Sequence, residues 1–367
     1  MSGEPAGAGE LRMPLPELVR FVRAALAAAG LQDDASAAVA EAMLEADLSG
    51  ADAHGVLRLP QYVAALQRGD VNPRPQLRVH ASGPATAVVD GDNGMGHWVM
   101  RRATDEAITR AQATGIAWVG TRRSNHAGAG GVHVARAAAA GLVGIYSAVS
   151  GINHLAPSGA AVPLLGTNPL AIALPARDGA PVLIDIAMSV VSSGVVRAHA
   201  LHGQTMPSGW MTERATGLPL HDASLAATGV MEAMGGHKGA GLALALGLLA
   251  GPLNGAAFGT ELPDFAQPDS GFGVNTGQLM LVLDVARFMP LDTFIALVDR
   301  HLQSIEDAPR QPGTEGIRWP GRERQRRITE RRTRGVPVTS ALLAQLRQLA
   351  DGLAIEPLAA DRTPWPG

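Results

Sequence analysis

From residue 77 onward, segments whose apolar residues recur at helical spacing alternate with short extended apolar segments. The clearest example runs from an extended segment at 116–119, through a helix at 132–140, to a second extended segment at 142–149. Such alternation is typical of a sheet covered by helices, so the sequence predicts an α/β protein. Because 46% of the residues are hydrophobic and 17% are charged, the chain also has enough apolar material for a large core.

Charge and cysteine content narrow the classes of partner and site. The formal net charge is only -3, so no global field attracts nucleic acid or anionic lipid. The chain has no cysteine, which excludes disulfides, thiolate metal sites and cysteine nucleophiles and agrees with a reducing compartment. The first ten residues do not resemble a secretion signal, and Pro252 interrupts the nearest candidate for a membrane span, 239–258. We therefore expect a soluble cytoplasmic protein whose partners are small molecules or proteins, with neither nucleic acid nor membrane among them.

The usual glycine fingerprint of a dinucleotide site does not occur in the sequence. Gly128, Gly130 and Gly131 have the wrong spacing for Gly-x-Gly-x-x-Gly, and the glycines at 271–277 do not open a helix. The sequence also contains no Walker loop and no His-Glu-x-x-His motif. These patterns disfavour a Rossmann fold, a P-loop enzyme and a zinc protease.

A glycine-rich segment, Gly235-Gly236-His237-Lys238-Gly239-Ala240-Gly241, leads into an apolar segment that predicts a helix over 239–250. Backbone N–H groups at a helix start bind phosphate or carboxylate, although the same glycines also allow a helix to pack closely on its neighbour. Of the 30 basic residues, 29 are arginine and only Lys238 is lysine. Because the two side chains differ most in crowded sites, we predict a functional role for Lys238.

His54 and Arg58 would share one face if the segment 52–62 is helical. Histidine moves a proton near neutral pH, and arginine binds a carboxylate through two hydrogen bonds. The pair therefore suits proton transfer beside a carboxylate. The structural alternative is a polar loop in which His54 caps a helix and Arg58 pairs with Asp52.

A single histidine and a group of three histidines are further candidate site residues. His126 lies between an extended segment and a helix, among small residues that permit a ligand to approach, although a lone loop histidine is often structural. His199, His202 and His221 form a weak candidate metal site, because a third ligand at fixed spacing is lacking. They leave open a metal-dependent hydrolase or lyase.

Several short motifs occur together in one order along the chain. They are Asp52-Ala53-His54-Gly55 with Arg58-Leu59-Pro60, Ser124-Asn125-His126 with Gly128, Leu165-Gly166-Thr167-Asn168-Pro169-Leu170, Asp185-Ile186-Ala187 with Ser189, Pro207 with Gly209-Trp210, Gly236-His237-Lys238-Gly239, and Pro320-Gly321. In this ordered set the chain resembles the malate/L-lactate dehydrogenase-like family of NAD(P)-dependent oxidoreductases. That family includes ureidoglycolate, sulfolactate and diketogulonate enzymes and Δ1-piperideine-2-carboxylate reductase.

The resemblance implies a non-Rossmann α/β fold with a mixed or largely antiparallel central sheet in its cofactor domain. It implies an N-terminal helical segment over 1–76 that carries substrate and catalytic residues, and an NAD(P)- and substrate-binding region over 77–317. A C-terminal helical segment over 318–367 is expected to pack on the N-terminal one. The resemblance also implies a homodimer whose active sites lie near the subunit interface.

The same resemblance assigns the site residues. His54 is implied to be the proton donor or acceptor, Arg58 the ligand of the substrate carboxylate, and Thr167 a further substrate contact. His126 matches a position used for proton transfer or for the cofactor pocket. The implied contacts to NAD or NADP are His126, Ala127, Gly128, Ala129, Gly130, Ser150, Ile184, Asp185, Ile186, His237, Lys238, Pro320 and Gly321. No metal is required.

These assignments predict hydride transfer between nicotinamide and a small 2-hydroxy or 2-oxo carboxylate. The alternative within the family is reduction of a cyclic imino acid of the Δ1-piperideine-2-carboxylate or Δ1-pyrroline-2-carboxylate type. Ala53 stands where family members often have serine, and Ser193-Gly194-Val195-Val196 lacks the aspartate of the imine-reducing branch. Both departures favour the oxo or hydroxy acid.

An arginine-rich run covers 322–334 and contains seven arginines with two interleaved glutamates. Such runs usually form a solvated helix face. The functional alternative is that one guanidinium binds the 2′-phosphate of NADP.

Overall fold

A computed structural model describes residues 11–177, 180–201, 203–263, 271–314 and 316–359 of the chain. They divide into two compact units. The first unit holds the chain up to Arg74 and from Pro320 onward, and the second runs from Pro75 to Trp319.

The described residues form short strands and longer helices along the whole chain. The strands are β1 (Leu11–Met13), β2 (Arg78–Ala81), β3 (Thr86–Asp90), β4 (Ile116–Ser124), β5 (Leu142–Ala148), β6 (Leu170–Leu174), β7 (Val182–Ile186), β8 (Met211–Glu213), β9 (Gly229–Met231), β10 (Thr276–Asp284) and β11 (Val336–Val338). The helices are α1 (Leu15–Ala28), α2 (Asp33–Ser49), α3 (Leu59–Arg68), α4 (Gly96–Thr114), α5 (Gly130–Ala139), α6 (Ser193–Leu201), α7 (His237–Ala250), α8 (Leu291–Glu306), α9 (Arg322–Arg334) and α10 (Ser340–Leu353). Among these helices, none is both long enough and apolar enough to cross a membrane.

The second unit is built on one sheet with the strand order β2-β3-β4-β10-β5-β6-β7 among the described residues. Strands β3 and β4 run parallel, and every other neighbouring pair in this sheet is antiparallel. Strand β10 lies between β4 and β5 although it follows both in the sequence. The mixed, largely antiparallel sheet confirms the predicted non-Rossmann α/β fold.

Helices cover both faces of this sheet. Met280 and Val282 of β10 lie in the buried cluster that includes residues of α4 and α5. Leu279, which directly precedes Met280, lies in a second cluster with Ala250 of α7. Successive side chains of a strand point to opposite faces, so α4 and α5 pack on one face and α7 on the other.

The first unit joins the two ends of the described chain. Strand β1 pairs antiparallel with β11, α2 contacts α9, and α1 contacts α10. The apolar stripe of α1 is fully buried at Leu18, Phe21, Val22, Ala25 and Leu26. Burial of this stripe is the main source of stability expected for an amphipathic helix.

Helix α7 begins at His237, two residues earlier than the sequence predicts, so Lys238 lies in its first turn. Its buried residues are all small: Gly239, Ala240, Ala243, Gly247 and Ala250. Its leucines at 242, 244, 248 and 249 are between 39% and 47% exposed. The helix therefore packs through its small residues and leaves an apolar leucine face, Leu242, Leu244, Leu248 and Leu249, open.

Candidate functional site

His54 and Arg58 lie on two consecutive single-turn 3-10 helices rather than on one helix. The first covers Asp52–His54, the second covers Val56–Arg58, and Gly55 joins them. Arg58 is also the residue that precedes α3. The condition for a single helical face over 52–62 is therefore not met, because the backbone breaks its helical course at Gly55, whose φ is -90° and ψ -147°.

The Arg58 guanidinium is held by two neighbours on its own segment. Its Nε donates to the carbonyl oxygen of Ala53 at 3.0 Å, and its Nη1 donates to Oε1 of Gln61 at 2.7 Å. Asp52 pairs with Arg331 instead of Arg58. The structural alternative of an Asp52–Arg58 pair is thus wrong, and among the described residues no carboxylate forms an ion pair with Arg58.

His54 lies in an environment that favours the neutral ring. Burial, and then the positive charge of Arg58, lower the pKa of His54 to about 4. The imidazole is therefore uncharged near pH 7 and able to accept a proton. This state suits a general base in the direction of alcohol oxidation.

The loop that carries His126 follows β4 in the second unit and is fixed by Asn125. The Asn125 amide nitrogen donates to the carbonyl oxygen of Gly94 at 2.9 Å, and its Oδ1 accepts from the N–H of Gly273 at 2.8 Å. Gln278 donates from Nε2 to the carbonyl oxygen of Asn125 at 3.0 Å. Asn125 and Gln278 are almost fully buried, so this polar network sets the path of the backbone into His126.

His126 itself is partly exposed and lies beside a second histidine. Its ring centroid is 6.3 Å from that of His97, in an edge-to-face arrangement. Its Nδ1 accepts a long hydrogen bond from the N–H of Gly128 at 3.4 Å. A Cβ on Gly128, whose φ is +75°, would lie 2.7 Å from Nε2 of His97, so this position requires glycine.

Asp185 occupies the start of α5. Its Oδ2 accepts a hydrogen bond from the N–H of Gly131 at 2.7 Å. A carboxylate at this end of a helix is stabilised by the helix dipole. The predicted cofactor residues at 128–130 and 184–186 are therefore linked, and the start of α5 already holds a negative group.

Ser150 and Thr167 form one hydrogen-bonded unit with Asn168. The hydroxyls of Ser150 and Thr167 are 2.9 Å apart, and the carbonyl oxygen of Thr167 accepts from the N–H of Met188 at 2.8 Å. Asn168 accepts from the N–H of Ser150 through Oδ1 at 3.2 Å. The segment that follows β7 is thus attached to the predicted substrate contact.

A backbone hydrogen bond connects the segment before α7 to the same region, and the start of α7 is exposed. The N–H of Met234 donates to the carbonyl oxygen of Met188 at 2.9 Å. Gly235 and Gly236 both have φ of +65°, and a Cβ added to either would meet no described atom within 4 Å. His237 and Lys238, which follow them, are exposed.

This helix start fits the phosphate groups of a dinucleotide. The first-turn N–H groups of a helix have no partner inside the helix, and the helix dipole favours negative charge there. The two open glycines let an anionic group approach the backbone, and Lys238 adds a full positive charge. The start of α5 is less suited, because Asp185 already caps it.

The structure divides the predicted site residues between the two units. Those of the first unit are His54, Arg58, Pro320 and Gly321. Those of the second unit are His126, Ala127, Gly128, Ala129, Gly130, Ser150, Thr167, Ile184, Asp185, Ile186, His237 and Lys238. Within the second unit, the contacts through Gly131, Met188 and Met234 connect all three of its predicted cofactor segments.

The histidines offered as a metal site have other contacts. His199 stacks edge-on against Trp210 at 4.9 Å between ring centroids, and its Nδ1 lies 3.1 Å from the carbonyl oxygen of Val195. The Nδ1 of His221 lies 2.9 Å from the carbonyl oxygen of Met206. His202 lies outside the described residues. Among the side chains that the structure describes, no group of three or more His, Asp or Glu has the geometry to hold a metal ion.

Sequence reasoning gave no role to three polar residues that hold predicted site segments: Asp47 and Arg331 in the first unit, and Asn168 in the second. Asp47 is 2% exposed at the end of α2, Asn168 is fully buried, and Arg331 of α9 has a side chain only 11% exposed. A signal existed for Asp47, an acid one helical turn after the buried Met43 in an apolar helix. The partners of Arg331 lie far away in the sequence, so local spacing held no signal for it.

This chain is similar to known protein sequences and to solved structures over nearly its whole length. The sequence model of the malate/L-lactate dehydrogenase family matches residues 13–347. Malate dehydrogenase of Pyrococcus horikoshii is 33% identical over 355 residues, which cover 95% of this chain and 97% of that protein. A solved structure of malate dehydrogenase from Pyrococcus horikoshii OT3 superposes with a TM-score of 0.88 at 30% identity, covering 97% of this chain and 99% of that one.

Two further relatives carry a cofactor in their names. The (2R)-3-sulfolactate dehydrogenase (NADP(+)) of Chromohalobacter salexigens is 34% identical and covers 92% of this chain and 97% of its own length. Ureidoglycolate dehydrogenase (NAD(+)) of Escherichia coli strain K12 is 29% identical and covers 90% and 93%, respectively. Similarity thus extends over nearly the full length of each protein.

Proposed function

This chain belongs to the malate/L-lactate dehydrogenase family of oxidoreductases, and we propose that it transfers hydride between NAD or NADP and a small 2-hydroxy or 2-oxo carboxylate. The observation that carries the proposal is the pairing of His54 with Arg58 on adjoining turns, where the charge of Arg58 helps to keep His54 neutral. A neutral base beside a fixed cation is the combination that oxidation of a 2-hydroxy acid requires.

Arg58 binds the substrate carboxylate. Its guanidinium is oriented by Ala53 through Nε and by Gln61 through Nη1, and a guanidinium can bind a carboxylate through two parallel hydrogen bonds. The contact to Gln61 is made through neutral oxygen, so the charge of Arg58 remains available for an anionic substrate.

His54 moves the proton of the substrate hydroxyl. In oxidation, its neutral ring accepts that proton, and in reduction, the protonated ring donates it to the carbonyl oxygen. Carboxylate binding neutralises the charge of Arg58, which is one of the two causes of the low pKa of His54. Substrate binding is therefore expected to raise the pKa of His54 and make the protonated form accessible for reduction.

The second unit supplies all of the predicted cofactor contacts except Pro320 and Gly321, which lie in the first unit. The nicotinamide cofactor supplies the hydride acceptor or donor. The helix start at His237 and Lys238 binds its phosphates, and the connected segments 126–130 and 184–186, with Ser150, position the rest of it. Thr167 contacts the substrate. The names of two relatives, one with NAD(+) and one with NADP(+), support this class of cofactor without deciding between the two.

The experiment is an assay of NADH and NADPH oxidation with a panel of 2-oxo carboxylates and cyclic imino acids. Turnover of a 2-oxo carboxylate, and little turnover of Δ1-piperideine-2-carboxylate, is expected because Ala53 lacks the hydroxyl of the imine relay. Turnover of the cyclic imine alone would move the chain to the imine-reducing branch. Lack of turnover with every compound and both cofactors would contradict the proposal.

We also propose that the protein is a homodimer. The leucine face of α7 is apolar and exposed in the single chain, and homodimer interfaces are richer in apolar area than ordinary surface. Light scattering should give twice the chain mass of 37.8 kDa. Leu248→Glu should yield the monomer, whereas Leu218→Glu, at a residue 63% exposed elsewhere in the second unit, should not. A monomeric parent protein would contradict this.

A further inference from the structure

Two side chains from neighbouring helices, those of Asp47 and Arg331, fix the turn that carries His54 and Arg58. Each 3-10 helix in it spans only three residues, so few internal hydrogen bonds hold it. A displacement of such a turn would move both functional side chains. The contacts that hold the turn to its surroundings therefore decide how His54 and Arg58 are presented.

The first external contact comes from Asp47 at the end of α2. Its Oδ2 accepts a hydrogen bond from the N–H of Val56 at 2.9 Å. A Cβ on Gly55 would lie only 1.7 Å from Oδ1 of Asp47, so the absence of a side chain at 55 makes room for the carboxyl group. Asp47 thus holds the junction between the two 3-10 helices.

The second external contact comes from Arg331 of α9. Its Nη1 donates both to Oδ1 of Asp52 and to the backbone carbonyl oxygen of Asp47, and its Nη2 lies 3.2 Å from Oδ2 of Asp52. One guanidinium therefore joins the last turn of α2 to the first residue of the His54 turn. The forked donor set of arginine makes such a two-sided contact possible.

The charges of this cluster are balanced. Burial raises the pKa of Asp47 to about 8, so Asp47 is largely protonated at neutral pH. Asp52 and Arg331 then form a single ion pair. Other arginines of α9 differ from Arg331: Arg326 pairs with Glu323 and Glu330 of its own helix, and Arg332 is exposed.

We propose that Asp47 and Arg331 are positioning residues for the active-site turn, acting through the backbone at Val56 and through Asp52 to set the orientation of His54 and Arg58. The inference rests on the proposed function for the roles of His54 and Arg58. It assigns Arg331 a role that differs from both a solvated helix face and a contact to the 2′-phosphate of NADP.

The kinetic test compares Arg331→Ala with Arg332→Ala, a control on the same helix, using the full-length protein. Arg331→Ala should lower kcat/KM for the carboxylate substrate on the order of 10- to 100-fold, because small misplacement of reacting groups has effects of this size. Its Kd for the cofactor should stay within about twofold of the parent value, since the second unit holds the predicted phosphate contacts. Arg332→Ala should match the parent in both. Equal kinetics of the two variants would overturn the proposal.

A double-mutant cycle separates positioning from a general loss of stability. Because Arg331 is proposed to orient both Arg58 and His54, Arg331→Ala should have a smaller effect in the Arg58→Ala background than in the parent, and the remaining effect comes through His54. A purely structural residue would have the same effect in both backgrounds, and additive losses would overturn the proposal. Arg331→Lys should restore only part of the parent activity, because an ammonium lacks the fork that reaches both partners.

Amide hydrogen exchange tests whether Asp47 and Arg331 hold the turn, without relying on the proposed function. The amide of Val56 should exchange faster in Asp47→Ala than in the parent, whereas Asp47→Asn, which retains an acceptor oxygen, should protect it. Exchange across 52–58 should also rise in Arg331→Ala and not in Arg332→Ala. If exchange changes in this way but the protein turns over no carboxylate, the proposed function is refuted, and the proposal that Asp47 and Arg331 position the turn still stands. Unchanged exchange in both Asp47→Ala and Arg331→Ala would overturn the positioning itself.

Discussion

The side-chain amide of Asn168 donates to the carbonyl oxygen of Ala243 in the middle of α7 at 2.8 Å. The same side chain accepts from the N–H of Ser150, and Thr167 precedes it in the chain. Asn168 is fully buried and has φ of +29°, a value that asparagine tolerates better than most side chains. One residue thus joins the predicted substrate contact to the helix whose first turn carries Lys238.

This contact depends on Gly247. A Cβ there would lie 2.4 Å from the ring of Phe258 and 2.5 Å from Nδ2 of Asn168. Gly247→Ala should therefore lower the free energy of unfolding by about 1–3 kcal/mol, as overpacking of a core does, and should weaken cofactor binding. In Gly241→Ala, on the exposed face of the same helix, the new methyl group meets no described atom within 4 Å, so stability should stay equal or rise by about 1 kcal/mol. Chemical unfolding of both variants tests this, and equal stabilities would contradict it.

Lys238→Arg should weaken cofactor binding although the charge is kept. The start of α7 is exposed and flanked by two open glycines, where the compact ammonium of lysine approaches a phosphate as a point charge and the planar guanidinium of arginine binds in a different geometry. Fluorescence titration with NADH and NADPH measures the effect, and Arg68→Lys, a surface exchange in the first unit, is the control. Parent-like affinity of Lys238→Arg for both cofactors would remove the special role of this lysine.

Asp47 should make the stability of the protein depend on pH. Its pKa is raised from 3.8 to about 8 on folding, so between these values the folded state holds a proton that the unfolded state has released. This contribution to the free energy of unfolding is fully present below pH 3.8 and is lost as the pH rises through about 8. Asp47→Asn cannot titrate and should therefore gain stability relative to the parent as the pH rises.

Urea unfolding at several pH values measures that difference. Asp33→Asn is the matched control on α2, because Asp33 has a side chain that is 86% exposed. A plot of its free energy of unfolding against pH should run parallel to that of the parent. If the plot for Asp47→Asn also ran parallel to that of the parent, Asp47 would be ionised in the folded protein, and this prediction would be wrong.

In the pH profile of kcat/KM for oxidation, activity falls on the acidic side as the base becomes protonated. This acidic limb should lie well below the ordinary pKa of histidine. His54 has a pKa of about 4, lowered first by burial and then by Arg58, so it is neutral and active as a base at higher pH. Arg58→Ala should move the limb upward, whereas Arg68→Ala, at a surface ion pair with Asp70, should not. A limb near 6.5 in the parent, the ordinary value for histidine, would point to a different base.

Local patterns were sufficient to predict the fold class. Alternating segments predicted the α/β architecture, and the ordered motifs led to the family that the comparisons confirm. The insertion of β10 between β4 and β5 was not predictable in this way, because pairing of distant strands leaves no mark in local periodicity. The same holds for the pairing of β1 with β11 across almost the whole chain.

Prediction of the site was limited by the same physical cause. The motifs marked His54 and Arg58, but their spacing left a helix and a polar loop both open. The break at Gly55 lies against the carboxyl group of Asp47, a contact that local spacing does not reveal. Arg331 was hidden within a run of similar residues. Its difference from Arg332 arises only when α9 packs on α2 and buries one guanidinium against Asp52.

The most direct test of the proposed activity compares a 2-oxo acid with its 2-oxo amide in the parent and in Arg58→Ala. If Arg58 binds the carboxylate, the parent should strongly prefer the acid, and Arg58→Ala should lose about 2–5 kcal/mol of transition-state binding for the acid with little change for the amide. The measurement is kcat/KM for NAD(P)H oxidation with each compound. An acid preference that survives unchanged in Arg58→Ala, or no turnover of either compound by the parent, would contradict the proposed reaction and the role of Arg58.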